Sequence, residues 1–315
     1  MALVEALNWL SPKVAVLPSP RARGTVRYFD AHVHLHPTRL ATAISQWFAR
    51  ENWHAAHSFD PQAVVDTLSA RGVDRFCFFT YAHKPGMARA LNQWVAETAS
   101  RFPQTIPLGT LHAGEADLEA VARDALEGLG LRGFKFHHSV QRFHVDDPRL
   151  FPVYERGEAE GCCFMLHVGT MPYRDPFSGY ERFARLMERF PRLRVCVAHM
   201  GAFDSDRFLA LTERYPHLYL DTTMAMTRAA TPYVGAEPAT ITNEAILRHQ
   251  DRILFGSDFP LIPYDYDEER RWADTRGLPA AVQAKIFHDN AVVFFGRPRQ
   301  GPPTPPPTGS VAGCR

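Results

Sequence analysis

The stretch Phe29-Asp30-Ala31-His32-Val33-His34-Leu35-His36 combines an apolar strand pattern with regularly spaced histidines. Alternate side chains of an extended strand point to the same face, so His32 and His34 lie about 6.5–7 Å apart along one face. Two imidazoles on one side of a strand can converge on a single metal ion. Two polar residues at an exposed strand end would give the same pattern, so the motif needs support from the rest of the chain.

Seven further apolar runs follow this one, separated by longer stretches whose apolar residues have helical spacing. The eight predicted strands are Val26–His34, Arg75–Ala82, Ile106–Leu111, Arg132–His138, Cys163–Gly169, Arg194–Gly201, Leu218–Thr223 and Arg252–Pro260. Such alternation is typical of parallel βαβ units, and eight units close most simply into a (β/α)8 TIM barrel of the α/β class. An open doubly wound sheet is the competing fold. No G-x-G-x-x-G motif follows the first strand, however, and the sequence contains no P-loop.

The two ends of the chain lie outside this alternation. Residues 1–24 are predicted to be a short N-terminal arm, and residues 297–315 a disordered Pro-rich tail. The barrel is therefore expected to form a single domain over residues 25–296. Inside it, Asp60-Pro61 and Asp147-Pro148 each have the pattern of a helix N-cap followed by proline at the first helical position.

Composition limits the partners of the 315-residue chain. Its 35 Lys and Arg against 34 Asp and Glu give a formal net charge of +1, which argues against nucleic acid or an anionic membrane as a partner. Five cysteines without a C-x-x-C pair indicate reduced thiols and a cytoplasmic location. The N-terminal sequence matches neither a signal peptide nor a spanning helix. We expect a small-molecule substrate, and a homodimer is left open.

Three other predicted strands also end in an ionisable residue, at His167, His199 and Asp258. All C-terminal strand ends of a parallel barrel lie on one rim, where active sites are built. A buried core histidine explains any one of these residues, but independent burial would not place all of them at that rim. Three nitrogens and one carboxylate for a divalent ion would come from His32, His34, His167 and Asp258. Such donors suit Zn²⁺ best, with Mn²⁺, Fe²⁺ and Co²⁺ as alternatives.

These motifs resemble the amidohydrolase superfamily, and within it the amidohydrolase-related branch that includes aminocarboxymuconate-semialdehyde decarboxylase-like enzymes. The matching strings are Asp30–His34, Leu166-His167, Ala198–Gly201 and Phe255–Pro260, spread over nearly the whole of residues 28–296. The resemblance implies a (β/α)8 barrel with a mononuclear divalent metal at the positions of the four ligands named above. It also implies that His199 is the catalytic histidine. Asp258 is a second catalytic candidate, because it can take a proton while it ligates. Asn290-Ala291 is similar to the pair that closes this branch and is expected to be structural.

The fourth predicted strand places Lys135 and His137 on one face, with Lys135 one layer deeper in the barrel. A buried ammonium group requires a partner. Asp30 is the expected partner, since strand alternation puts it one layer below the ligands. The alternative is a carboxylated lysine that bridges two metal ions, as in dinuclear members of the superfamily.

Several side chains are candidates for contact with the substrate or for support of the site. The substrate-binding candidates are Lys135, His137, Arg142, Tyr173 and Arg174. Arginine can bind a carboxylate with two hydrogen bonds, although surface arginines are common. Asp30 and Asp221 are expected to hydrogen-bond within the barrel mouth without binding metal. The aromatic segment 47–59 is either a cap over the mouth or a packed excursion on the outer surface, and residues 223–242 are a candidate lid.

Two activities fit the same set of ligands. The main hypothesis is a metal-dependent hydrolase that uses an activated water on a small amide, ester or lactone. The alternative is a nonoxidative decarboxylase of an aromatic or muconate-like acid. A third hypothesis is a binding barrel without catalytic activity. A deoxyribonuclease is disfavoured, because that branch usually has a carboxylate on strand 4, where this chain has Lys135 and His137.

Overall fold

The computed structural model describes residues 27–51, 53, 56–170, 172, 175–235 and 237–296. The strands are β1 (Tyr28–His34), β2 (Val73–Phe79), β3 (Thr105–Pro107), β4 (Gly133–His137), β5 (Cys163–His167), β6 (Arg194–Val197), β7 (Leu218–Asp221) and β8 (Ile253–Leu254). The helices are α1 (Thr38–Arg50), α2 (Pro61–Ala70), α3 (Ala88–Arg101), α4 (Leu118–Arg123), α5 (His138–Gln141), α6 (Phe151–Glu160), α7 (Tyr180–Arg189), α8 (Ser205–Arg214), α9 (Thr231–Val234), α10 (Asn243–Arg248), α11 (Glu268–Arg276), α12 (Ala280–Ala284) and α13 (Asn290–Phe295). Each strand overlaps one of the eight predicted runs. The predicted arm, residues 1–24, and the predicted tail, residues 297–315, lie outside the described residues.

All eight strands are parallel, and backbone hydrogen bonds close them into a barrel. The ladders β1-β2-β3 and β4-β5-β6-β7-β8 are continuous. Between β3 and β4, Gly109 N donates to Gly133 O and Lys135 N donates to Gly109 O, both at 2.8 Å. Between β8 and β1, Ala31 N donates to Phe255 O and His34 N to Phe259 O, again at 2.8 Å. The predicted (β/α)8 architecture is therefore confirmed.

A bulge in β1 changes which side chains face the barrel interior. Asp30 pairs with Phe76 of β2, but the next paired residue is Val33, opposite Phe78, so β1 contains one extra residue. Phe29 and Ala31 consequently join the interior cluster, while the histidines that follow also face the barrel mouth. Simple alternation, which put Asp30 below the ligands and beside Lys135, is wrong here.

Asp30 makes its contacts elsewhere. Its Oδ2 accepts hydrogen bonds from Ser257 Oγ at 2.5 Å and Tyr266 OH at 3.0 Å, and its Oδ1 accepts from His32 N at 3.0 Å. The carboxylates whose charges act on Lys135 are Asp221 and Asp258. The predicted pairing of Asp30 with Lys135 is therefore corrected.

Helix α13 closes the N-terminal end of the barrel. Phe294 and Phe295 are buried in the interior cluster, where Phe295 stacks on Phe29. Two arginines at the starts of strands bind the last carbonyls of this helix, which have no partner within it. Arg132 donates to Phe295 O at 2.7 Å, and Arg194 donates to Phe294 O at 2.8 Å. The candidate site therefore lies at the opposite end of the barrel, where the strands have their C-terminal ends.

Other local predictions also hold. Asp60 Oδ1 accepts from Ala63 N at 3.0 Å and caps α2, and Asp147 Oδ1 accepts from Arg149 N at 3.0 Å at the turn before α6. Asn290 Nδ2 donates to the carbonyls of Gln250 and Ile253, which ties α13 to the start of β8. In the described ranges, every helix is too short or too polar to cross a bilayer.

We expect Gly133→Ala to destabilise the barrel severely. Gly133 has φ +148°, and a Cβ added there would lie 1.8 Å from the carbonyl oxygen of Cys163 on β5. Overpacking of this kind against backbone costs about 3 kcal/mol or more. Urea denaturation measures the loss. Gly128→Ala is the matched control, because an added Cβ there meets no heavy atom within 4 Å, and it should change stability by at most about 1 kcal/mol. Equal midpoints for the two variants would contradict the close-contact argument.

Candidate functional site

The C-terminal ends of four strands bring five of the predicted residues into one cluster. His34 Nε2 lies 2.8 Å from Asp258 Oδ1, and His32 Nε2 lies 3.2 Å from the same oxygen. The His199 ring is 5.2 Å from the His32 ring, and the His167 ring is 4.6 Å from the His199 ring, measured between centroids. We call these five residues the metal-site cluster. Strand ends separated by more than 200 positions in sequence thus meet at one point.

Three members of the cluster satisfy the distance requirement for a shared cation. One donor atom from each of His32, His199 and Asp258 lies within 4.8 Å of the other two. This set contains His199 and leaves out His34 and His167, so the predicted ligand set of His32, His34, His167 and Asp258 stays a prediction. Burial lowers the pKa of His199 to about 4, so its ring is neutral and can donate a lone pair. Burial acts to raise the pKa of Asp258, but the adjacent His34 and His32 hold it well below its ordinary value. Neutral nitrogens beside an anionic oxygen fit a divalent ion such as Zn²⁺ or Mn²⁺.

Asp221, at the end of β7, orients two of these histidines. Its Oδ2 accepts from His32 Nδ1 at 2.9 Å, which leaves His32 Nε2 directed at Asp258. Its Oδ1 accepts from the backbone N–H of His199 at 2.9 Å and of Thr223 at 3.2 Å. Burial opposes ionisation, yet His32 and these donors lower the pKa of Asp221 to about 2. Asp221 therefore holds the ring of one histidine and the backbone of another, and its role as a supporting residue that does not bind the metal stays a prediction.

The segment after β6 has an unusual backbone that aims His199 into the site. His199, Met200 and Ala202 have φ of 57°, 53° and 57°, in the left-handed region that side chains other than glycine rarely adopt. Gly201 lies between them, where a Cβ would come within 2.1 Å of the Phe208 ring. His199 Nδ1 lies 3.1 Å from Thr223 O and must donate to it, so the Nε2 lone pair faces the cluster.

Lys135 lies beneath the metal-site cluster and is fully buried. Its Nζ is 3.3 Å from His32 Nε2 and lies over the Phe79 ring at 4.5 Å from the centroid. Burial lowers the pKa of this ammonium to about 8, while the charges of Asp221 and Asp258 oppose that change. The two-metal alternative with a carboxylated lysine stays a prediction, which metal stoichiometry can decide.

A second group of side chains borders the cluster, and two of its members, His36 and Tyr81, were missed by sequence reasoning. The Tyr81 ring lies 5.8 Å from His36, 5.5 Å from His137 and 5.9 Å from His34. Each of these three histidines has a buried ring nitrogen without a hydrogen-bond partner among the residues that the structure describes. We call Tyr81, His36 and His137 the tyrosine pocket. The continuation of the alternating histidine pattern to His36 was the available signal for it.

The other predicted contact residues are dispersed. His137 faces the mouth and stacks on His167 with a centroid separation of 3.9 Å. Arg142 is exposed and lies over the Phe177 ring at 5.7 Å, away from the metal-site cluster. The structure therefore gives Arg142 no contact with that cluster, and its predicted role in substrate binding is not supported by its position. Tyr173 and Arg174 lie outside the described residues.

The aromatic segment after β1 lies at the mouth side of the barrel. Trp53 Nε1 donates to Leu261 O at 2.8 Å, just beyond β8. The Trp53 ring stacks on Phe48 and lies 5.4 Å from Tyr233, which belongs to the segment after β7. These contacts favour the cap interpretation over packing on the outer surface, since all of them are with segments that follow C-terminal strand ends.

Comparison with known proteins identifies the family to which the chain is similar. A family model described as amidohydrolase matches residues 29–297. The chain is 28% identical over 177 residues to 2-amino-3-carboxymuconate-6-semialdehyde decarboxylase of Dictyostelium discoideum, a match that covers 46% of this chain and 49% of that protein. The chain thus spans about half the length of this curated relative.

Solved structures show the same fold. A TIM-barrel protein of uncharacterised function from Bordetella bronchiseptica aligns with a TM-score of 0.66 and 21% identity, over 86% of this chain and all of that chain (100%). A dihydroxybenzoic acid decarboxylase from a Polaromonas species, solved with bound manganese and the inhibitor 2-nitroresorcinol, aligns with a TM-score of 0.60 and 16% identity over 86% of this chain and 97% of that chain.

We expect Asp221→Asn to weaken metal binding about 10- to 100-fold, because a residue that orients a metal-binding histidine contributes that much to affinity. The amide would place an N–H group where His32 Nδ1 now donates. Calorimetric titration of the chelator-treated protein with Mn²⁺ and with Zn²⁺ measures the effect. Asp251→Asn is the matched control, since that carboxylate is exposed and forms an ion pair with Lys285 away from the metal-site cluster. Unchanged affinity in a folded Asp221→Asn variant would contradict the assigned role.

Proposed function

The chain belongs to the amidohydrolase family, and on that premise we propose that it is a metal-dependent nonoxidative decarboxylase of an aromatic or muconate-like carboxylic acid. The metal is proposed to be one divalent cation, Zn²⁺ or Mn²⁺, held by His32, His34, His167 and Asp258. Such an ion supplies a Lewis acid for oxygens of the substrate. The named relatives support decarboxylation over hydrolysis, because both act by removal of a carboxyl group, as their names state.

The observation that carries the proposal is the burial of the histidines of the metal-site cluster. His32, His34 and His199 are 1%, 3% and 5% exposed. The Phe79 ring packs against His32 and His34, with centroid separations of 5.0 and 4.9 Å. A carboxylate that leaves water for such a site loses its hydration shell, which favours loss of neutral CO₂. A hydrolase would have to admit and hold a water molecule in the same space.

The side chains of this chain supply the proton chemistry. In the reaction, the bond between the carboxyl carbon and its neighbour breaks, the electron pair stays on that neighbour, and a proton replaces the departing CO₂. His199 is proposed to accept or return a proton at Nε2, since Nδ1 is committed to Thr223 O. Asp258 Oδ1, which already contacts two imidazoles, is the second proton-carrying group. Lys135 adds a cationic group beneath them.

The tyrosine pocket is proposed to bind an oxygen of the substrate remote from the departing carboxylate. Burial lowers the pKa of His36 and His137 well below the ordinary value, so both rings are neutral and each has one N–H group. The phenol of Tyr81, whose pKa burial raises, keeps its proton. Neutral donors of this kind suit a hydroxyl, carbonyl or carboxylate oxygen.

Hydrolysis of a small amide, ester or lactone is the second candidate function. The side chain of Asp258 is 14% exposed, so one side of the cluster is open to a water molecule. A ring nitrogen of His199 lies within 4.8 Å of a carboxylate oxygen of Asp258, close enough for both groups to act on that water. The same residues would then act in cleavage of an amide or ester bond and not of a carbon–carbon bond.

Release of CO₂ tests the proposal. Protein reconstituted with Mn²⁺ or Zn²⁺ is expected to release CO₂ from hydroxybenzoates or carboxylated muconate semialdehydes, and chelation should abolish it. His199→Asn should lower kcat by about 10²-fold or more, the contribution of a positioned acid or base. Cleavage of esters or lactones by the loaded protein, with no CO₂ from any of these acids, would favour the hydrolase.

Ligand binding tests the tyrosine pocket independently of turnover. If the pocket binds a remote oxygen, 2,6-dihydroxybenzoate should bind the metal-loaded protein more tightly than benzoate, and Tyr81→Phe should reduce that preference about 5- to 10-fold, the effect of one hydrogen bond of about 1 kcal/mol. Competition calorimetry measures both affinities. Tyr233→Phe, in the segment after β7 that contacts Trp53, is the control. An unchanged preference in Tyr81→Phe would show that the hydroxyl groups bind elsewhere.

A further inference from the structure

A buried carboxylate lies close to the site without contacting the metal-site cluster. Glu269, in the first turn of α11, has no exposed surface. Tyr264 OH donates to its Oε1 at 2.5 Å, and Met224 N donates to both oxygens at 3.3 Å. Burial raises the pKa of Glu269, an effect that these donors oppose. Nothing in the proposed reaction uses this group, so its burial requires an explanation.

Its backbone partner belongs to a peptide group that also contacts His199. The N–H of Met224 and the C=O of Thr223 are the two polar ends of one planar unit, and they point in opposite directions. The N–H end faces Glu269, and the C=O end accepts from His199 Nδ1 at 3.1 Å. Glu269 and His199 are therefore linked through a single peptide group.

That peptide group lies in a strained turn. Ala225 N donates to Thr222 O at 3.0 Å, which closes a four-residue turn with Met224 in the third position. Met224 has φ +52°, and a positive φ at this position defines a type II turn, where glycine or asparagine is preferred. Rotation of the 223–224 peptide by half a turn would give the type I turn, which methionine adopts without strain. An interaction must therefore hold the less favourable orientation.

We infer that Glu269 is a positioning residue that sets the ring tautomer of His199 by fixing the orientation of the 223–224 peptide. While Glu269 accepts from Met224 N–H, the Thr223 carbonyl faces His199, the proton is on Nδ1, and the Nε2 lone pair faces the metal-site cluster. In the rotated peptide the carbonyl would face the carboxylate and the N–H would face Nδ1, so the ring proton would move to Nε2. The inference rests on the proposed role of His199.

The remaining contacts of the turn do not determine this orientation. Asp221 Oδ1 accepts from Thr223 N at 3.2 Å, but that N–H belongs to the preceding peptide, 222–223. The Thr222 hydroxyl contacts Gly256 and likewise lies before the peptide in question. Among the described residues, Glu269 and His199 are the recorded hydrogen-bond partners of the 223–224 peptide. Tyr264 OH and Met224 N both donate to Glu269 and oppose the effect of burial, which favours the protonated form. In its ionised form Glu269 only accepts, and in that form it selects the present orientation.

Glu269→Gln is the decisive variant, because its amide can donate to a rotated carbonyl as well as accept from the present N–H. Relief of the strain at Met224 should then favour the rotated peptide. In metal-free protein labelled with ¹⁵N-histidine, we expect the proton of His199 to move from Nδ1 to Nε2, read from the ring ¹⁵N signals and their couplings. A His199→Asn sample assigns those signals. Glu268→Gln, one residue away on the same helix, is the matched control.

A second substitution distinguishes an effect on the orientation of the 223–224 peptide from a general loss of structure. Glycine at position 224 removes the strain that drives rotation, so Met224→Gly combined with Glu269→Gln should recover part of the original Nδ1–H signal. A purely structural role for Glu269 predicts no such recovery. In the metal-loaded enzyme, Glu269→Gln should lower kcat by about 10- to 100-fold with a smaller effect on KM.

Two results would overturn the inference whatever the activity of the enzyme is. One is a folded Glu269→Gln protein in which His199 keeps its proton on Nδ1. The other is a wild-type metal-free protein in which His199 has its proton on Nε2. This measurement needs no variant, so it still tests the inference if the Glu269→Gln protein fails to fold. Absence of metal binding or of CO₂ release would instead refute the proposed function, since the tautomer is measured without metal or substrate.

Discussion

The hydrogen bonds of Asp221 are the interaction on which the rest of the site depends. One buried carboxylate accepts from the ring of His32, which is on β1, and from the backbone of His199, which follows β6. Asp221 therefore fixes the His32 side chain and the loop that begins at His199 relative to each other. Without it, His32 could rotate away from Asp258, and the left-handed segment that begins at His199 would lose the acceptor for its first N–H. His32 and His199 would then both lose their present positions in the metal-site cluster.

Burial of so many ionisable groups is tolerated because most of them are neutral. Desolvation lowers the pKa of His34 and His199 to about 4, so these imidazoles enter the barrel uncharged. The groups that stay charged lie close to groups of opposite charge. Asp221 and Asp258 are anionic, and the ammonium group of Lys135 provides compensating positive charge. Burial and Lys135 act to lower the pKa of His32, but Asp221 and Asp258 raise it, and a bound metal ion would take the place of a proton on this ring. A divalent ion would add to this balance at the point where the carboxylate of Asp258 is least shielded.

Sequence alone predicts the parts of this structure that follow from periodicity. Apolar runs that alternate with helical spacing indicate the barrel, and ionisable residues at several strand ends indicate the rim at which they meet. Alternation fails at β1, where one extra residue between Asp30 and Val33 changes the facing of the strand. Such a bulge depends on pairing with β2 and leaves no periodic signal. His137 was a sequence-based candidate, but Tyr81 was missed for a related reason, because the two rings become neighbours only when the chain segments after β2 and at the end of β4 meet at the barrel mouth.

Backbone conformation at the site was beyond sequence reasoning, and its physical basis lies in three buried acids. His199, Met224 and Asp258 all have positive φ without being glycine, and each lies in or beside a turn that is held by a carboxylate. Asp221 binds the N–H of His199, Glu269 binds the N–H of Met224, and Asp30 binds the hydroxyl of Ser257 next to Asp258.

Asp221, whose pKa is lowered to about 2, is ionised and cannot donate, so it stabilises only the peptide orientation that presents a donor to it, whereas an amide or a hydroxyl group could pair with either orientation. Strained turns of this kind persist only where the surroundings determine one orientation. The acids around the metal-site cluster therefore act on the backbone first, and through the backbone on the histidines that the proposed chemistry requires.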